Sequence, residues 1–141
     1  MTKPQWDPSM ETGDPLVDQQ HRDIHRMVDE VEAAGDRPDE LMRVLERLMD
    51  YVASHFLIEE DLMRRSGYDP VLAARHIAEH HELADAARSA VLDFRSGELV
   101  SMQPLARLLR DWLSTHVHQH DRVLIEFVRE RAISAELPVQ R

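Results

Sequence analysis

A histidine and a glutamate stand four residues apart in His55-Phe56-Leu57-Ile58-Glu59-Glu60. On a helix, residues i and i+4 lie about 40° apart on one face. An imidazole and a carboxylate stacked that way can reach one small object, and a metal ion is the usual one. Taken alone, the pair reads as a surface ion pair. It is not alone: His21 and His25, His76 and His80, and His116 and His120 repeat the spacing, and Asp121 follows directly. Nine of the 141 residues are histidine, clustered in a few segments.

Helices must position these groups. Glycine is scarce, at four residues, and strand-like alternation is hard to find, so composition points to an all-α protein. The periodicity predicts an antiparallel up-down-up-down four-helix bundle, one domain over 1–141. An extended arm, 1–16, is broken by Pro4, Pro8 and Pro15 and pinned by Trp6 and Met10. The first helix covers 17–34, with Asp14 or Asp18 as cap and Gly35 as stop. The second, 38–65, follows the break at Asp36-Arg37-Pro38, and the third, 70–96, opens on Asp69-Pro70. The fourth, 102–132, presents Leu105, Leu108, Leu109, Trp112 and Leu113 inward, and a polar tail, 133–141, is broken by Pro138.

Charge and cysteine usage narrow the function. A net charge of −10 argues against nucleic acid or an anionic membrane as partner. Absence of cysteine excludes disulfides, iron–sulfur clusters and thiolate zinc sites. The first residues carry no apolar core of a signal peptide and no run is apolar enough to span a bilayer, so a cytoplasmic chain is expected.

Depth along the bundle is the stronger signal. His21 lies near the start of the first helix, His55 and Glu59 late in the second, His76 and His80 early in the third, and His116 and Asp121 late in the fourth. In an antiparallel bundle all of these fall toward the same end. Burying five imidazoles and two carboxylates without a partner is very costly, so a metal site is the better reading. Neither Glu-x-x-His nor His-Glu-x-x-His occurs, which separates the pattern from ferritin-like bundles and from zinc proteases of that class.

The constellation resembles hemerythrin, specifically the bacterial hemerythrins, from Trp6 to about Arg131. The matching segments are Trp6-Asp7-Pro8-Ser9-Met10 with Gly13, Val17-Asp18-Gln19-Gln20-His21, and His55-Phe56-Leu57-Ile58-Glu59-Glu60 with Met63. Gly67-Tyr68, His76-Ile77-Ala78-Glu79-His80, and Trp112-Leu113-Ser114-Thr115-His116 with Asp121-Arg122 complete them. The resemblance implies two non-haem iron ions with an oxo or hydroxo bridge. His76, His80 and His116 would hold one iron, His21 and His55 the other, and Glu59 and Asp121 would bridge them. It implies reversible O2 binding at the five-coordinate His21/His55 iron, for storage, delivery or sensing, by a monomer that is not an enzyme. Phe56, Trp112, Leu113 and Val117 are candidates for an apolar lining, though each reads equally as plain core. The choice of iron rests on the resemblance, because imidazole and carboxylate suit manganese and zinc too.

Two places strain the pattern. On an ideal helix Asp121 stands about 140° from His116, whereas His120 stands about 40° away. Periodicity alone favours His120; the resemblance favours Asp121 and leaves His120 as a neighbour of the ligands. His25 replaces an apolar residue usual in the family. It reads either as a group reaching the site, which would favour peroxide chemistry, or as an interface histidine. The rival functions are a di-iron oxidase, peroxidase or nitric-oxide-handling protein on the same ligands, and an interaction module with a structural metal. His81 and His118 are expected at the surface, and Glu60 is expected to be solvated.

Overall fold

The computed structural model describes residues 6–35, 37–97, 101 and 103–137. Pro4, Asp36, residue 102 and Pro138 lie outside that range. A 3₁₀ turn, Pro8–Met10, leads into helices α1 (Pro15–Ala34), α2 (Pro38–Ser66), α3 (Pro70–Arg95) and α4 (Gln103–His116). A π-helical segment, Val117–Asp121, then joins α4 to α5 (Arg122–Glu130).

Helix starts follow local chemistry. Asp14 accepts from the Leu16 and Val17 N–H groups ahead of Pro15, and Asp69 accepts from those of Val71 and Leu72 ahead of Pro70. α2 opens on Pro38 with Asp39 and Glu40 at its positive end and stops at Gly67, whose φ of 68° is left-handed. Of the two expected caps for α1, only Asp14 serves. The Asp18 carboxylate instead accepts from Thr12 N, Thr12 Oγ1 and Gly13 N at 2.8, 2.6 and 3.0 Å and holds the arm down. Met10 is buried in the core, and Trp6 is half-buried with its indole N–H donated to Glu11 at 2.9 Å.

Contacts at opposite ends fix the helix directions. Glu30 late in α1 meets Arg47 early in α2 at 3.1 Å, while His21 early in α1 meets His55 late in α2. Glu46 pairs with Arg95 across α2 and α3, as Glu60 does with His80 nearer the other end. Arg110 of α4 reaches Asp29 and Glu32 of α1, while Asp121 reaches His21. Successive helices are therefore antiparallel and form an up-down-up-down bundle.

The fourth helix departs from expectation. It is not one α-helix: the Arg122 N–H bonds to the Val117 carbonyl, an i→i+5 closure. A wider turn brings a residue five positions on back toward the same face. This carries Asp121 to the side of His116, which a regular helix could not do. Leu108, expected inward, is 44% exposed.

The apolar interior is split in two. One cluster contains Ile24, Val52, Phe56, Leu83, Leu113 and Val117 among others, and the second contains Val17, Leu62, Met63, Leu124, Ile125 and Val128. His21 falls between Val17 and Ile24, Glu59 between Phe56 and Leu62, His80 between Ile77 and Leu83, and Asp121 between Val117 and Leu124, each pair taken from the two different clusters. The polar groups therefore form an internal layer with apolar side chains above and below, rather than an end of the bundle.

Candidate metal centre

The layer brings together all seven side chains expected to converge. His21, His55, Glu59, His76, His80, His116 and Asp121 are each buried, none more than 2% exposed. They fall into two groups of potential metal donors. One is Glu59, His76, His80, His116 and Asp121, the other is His21, His55, Glu59 and Asp121, and in each the donor atoms lie within 4.8 Å of one another. The two carboxylates belong to both groups. Asp121 places Oδ1 2.8 Å from His76 Nε2 and 3.0 Å from His116 Nε2, while Oδ2 lies 2.9 Å from His21 Nε2. Glu59 Oε1 lies 3.1 Å from His80 Nε2 and 3.4 Å from His55 Nε2.

The residues fit a cation. Both oxygens of Glu59 and of Asp121, and His76 Nε2, are buried without a hydrogen-bond partner. Nε2 of His80 faces Nε2 of His116 at 3.2 Å, and Nε2 of His21 faces Nε2 of His55 at 3.1 Å. His55, His80 and His116 each direct Nδ1 at an acceptor, which assigns the proton to Nδ1 and turns the Nε2 lone pair into the layer. Lone pairs and carboxylate oxygens that converge with so few donors call for shared positive charge.

Three acceptors were not foreseen in the sequence. His55 Nδ1 donates to Gln20 Oε1 at 2.8 Å, His80 Nδ1 to Glu60 Oε2 at 3.3 Å, and His116 Nδ1 to Glu79 Oε1 at 3.2 Å. Glu60 is thus not simply solvated. Each acceptor stands one residue from a member of the cluster, so it is turned about 100° around its helix, toward the neighbouring helix. That rotation is the signal that could have found them.

Aromatic rings support two of the imidazoles. Phe56 stacks on His80 with ring centroids 3.7 Å apart and planes within 5°, and Trp112 stacks on His116 at 4.2 Å and 12°. Both also line a small cavity beside the layer, together with Ile24, Val52, Leu83, Leu109, Leu113 and the polar groups His21, His55, His116 and Asp121. About 10 Å³ of it is open to the centre of a water-sized sphere, the scale of one very small ligand.

The remaining candidates lie outside that lining. Val117 is buried in the core. His25 points to the arm, with its ring 6.1 Å from Trp6 and its Nδ1 4.0 Å from Asp29. His120 contacts the second oxygen of Glu79 and stacks over His116 at 5.3 Å. His81 and His118 are exposed, as expected, and His118 Nδ1 bonds the Ser114 carbonyl at 2.7 Å.

Protons in the metal-free protein follow from these contacts. Burial pulls His76 down, but the adjacent carboxylates of Asp121 and Glu59, 2.8 and 3.7 Å from its Nε2, outweigh it and raise the group to about 10. Burial lowers His55 to about 4. His76 therefore contributes stability that is complete below its ordinary value of 6.5 and is lost as pH rises toward 10. The unfolded chain protonates His55 below 6.5 while the folded chain resists until about 4, so stability also falls as pH drops through that window. The thermal midpoint of metal-free protein should peak near neutrality, each titrating group changing stability by up to about 1.4 kcal/mol per pH unit. Metal would replace the His76 proton, so loading should flatten the alkaline limb. A metal-free midpoint that holds steady from pH 7 to 10 would contradict this assignment.

A helical bundle whose core holds a layer of histidines and shared carboxylates defines a metal-binding four-helix protein. A family model described as "Hemerythrin HHE cation binding domain" matches residues 12–128. The bacteriohemerythrin of Methylococcus capsulatus is 36% identical over 111 residues, 77% of this chain and 82% of that one. That of Pseudomonas aeruginosa is 34% identical over 127 residues, 88% of this chain and 80% of its own. A crystal structure of wild-type hemerythrin superposes with a TM-score of 0.80 at 31% identity, covering 90% of this chain and 98% of that one. The chain belongs to the hemerythrin family.

Proposed function

We propose that this protein binds O2 reversibly at a di-iron centre, as a carrier, store or sensor and not as an enzyme. The observation that carries the reading is the unequal donor set: three imidazoles on one side of two shared carboxylates, two on the other, with a small apolar cavity alongside. His76, His80 and His116 would hold one iron, His21 and His55 the other, with Glu59 and Asp121 common to both. Iron held there in the ferrous state would supply the electrons that O2 binding needs and that no side chain here can give.

The chain's own residues do the rest. Gln20, Glu60 and Glu79 hold the Nδ1 protons of His55, His80 and His116, which keeps each Nε2 directed inward. Phe56, Trp112, Leu113 and their apolar neighbours exclude water from the cavity. The apolar clusters on both faces of the layer keep the ligand helices in register. His25, which raised the peroxide alternative, packs against the arm instead. No helix among the described residues is long and apolar enough to cross a membrane.

The test is optical. Protein loaded with iron and reduced without air should gain a visible charge-transfer band on addition of O2 and lose it when O2 is removed, over repeated cycles. Immediate, irreversible conversion to the diferric form would favour redox chemistry and sink the carrier reading.

A further inference from the structure

The three outer acceptors follow one rule around the bundle. Gln20, beside His21 on α1, serves His55 on α2. Glu60, beside Glu59 on α2, serves His80 on α3. Glu79, beside His80 on α3, serves His116 on α4. α1, α2 and α3 thus each contribute a member of the cluster and, one residue away, the group that orients a member on the next helix.

The chemistry of these acceptors is uneven. Both carboxylates fall on the three-imidazole group, and the neutral amide falls on the two-imidazole group. Each group also holds one imidazole, His76 or His21, whose Nδ1 has no partner. The contrast therefore resides in the other three histidines. A carboxylate accepting the Nδ1 proton draws it away from the ring and makes Nε2 a stronger donor to a metal than an amide oxygen does. Glu79 is itself held from its other oxygen by His120, and Gln20 is buried.

We propose that Gln20, Glu60 and Glu79 are positioning residues that grade the two metal positions, the carboxylates making the His76/His80/His116 position the tighter and first filled, the amide leaving the His21/His55 position looser and more readily exchanged. This rests on the two-metal reading above. The donor count alone favours the three-imidazole position; the outer charges widen the gap.

Cobalt(II) titration of the metal-free full chain under anaerobic conditions tests this, followed by calorimetry and by cobalt absorption. Wild type should take up two equivalents in two resolved steps. The Glu60→Gln/Glu79→Gln variant keeps an acceptor oxygen at each position but removes both charges. Its first step should weaken by about 10–100-fold, the usual range for outer-shell partners, while the total stays at two equivalents. Gln20→Glu should act oppositely, tightening the second step by about tenfold. An unchanged first step in the double variant, or an unchanged second step in Gln20→Glu, would overturn the grading. If the double variant loses its helical circular dichroism, Gln20→Glu decides alone. Uptake of fewer than two equivalents by wild type would instead overturn the two-metal reading beneath it.

Discussion

Glu59→Ala should bind essentially no iron, whereas His21→Ala should keep close to one equivalent per chain. Glu59 is fully buried, both its oxygens lack hydrogen-bond partners, and it belongs to both donor groups. Truncating it removes a donor from each position at once and leaves buried imidazoles with one carboxylate between them. The loss should exceed the roughly 100-fold seen when outer partners are removed. His21 belongs to one group alone, so its removal should empty that position and spare the other. Glu60→Ala should still bind two irons at saturating metal, with a weaker first step. Metal analysis of anaerobically loaded, desalted protein reads all three. One equivalent retained by Glu59→Ala would show that the carboxylate is not shared.

Removing the metals should release α3 while leaving α1 and α2 largely protected. α3 buries only His76, His80, Leu83 and Ala87. Two of the four are imidazoles, so apolar burial of Leu83 and Ala87 is worth only about 2–4 kcal/mol. Ala73, Ile77, Ala90, Val91 and Phe94 pack against the two clusters but stay partly exposed. α2 by contrast buries Leu41, Val44, Leu45, Leu48, Val52, Phe56, Ile58, Leu62 and Met63 as well as its own polar pair. Metal present at about a thousand times its dissociation constant adds roughly 4 kcal/mol per site. Chelation should lower the thermal midpoint by about 10 °C or more, since each kcal/mol shifts a chain of this size by roughly 2–4 °C. Amide exchange along 70–95 should accelerate at least about tenfold more than along α1. Equal acceleration in all helices would mean that α3 is held by packing after all.

Much of this was legible in the chain. The Pro and Gly punctuation at Pro38, Gly67 and Pro70 and the helical periodicity set the helices to within a few residues. The depth of five histidines and Glu59 brought six of the side chains to one level, and the family resemblance added Asp121. The π segment was not legible, because its signature is a hydrogen bond one residue longer than the pattern assumes. That is why Asp121 looked misplaced and His120 looked favoured. The acceptors Gln20, Glu60 and Glu79 were hidden for another reason. A helical projection scores each residue against its own helix's inward face, and these three point sideways to a neighbour. His25 shared the spacing of the cluster but not its direction, since the arm supplies Trp6 as an alternative contact. Leu108 was misread as inward because one hydrophobic residue at the margin of a stripe carries no directional information.

The neighbour-to-neighbour pattern of acceptors also sets how the site can be divided. A two-helix hairpin copied from α1 and α2 would carry His21, His55 and Glu59 together with the amide that orients His55. One copied from α3 and α4 would keep Glu79 for His116 but strand His80, whose acceptor belongs to α2. For anyone transplanting this centre into a designed scaffold, the first hairpin keeps its own orienting amide but needs Asp121 supplied from outside, and the second needs both Glu59 and Glu60.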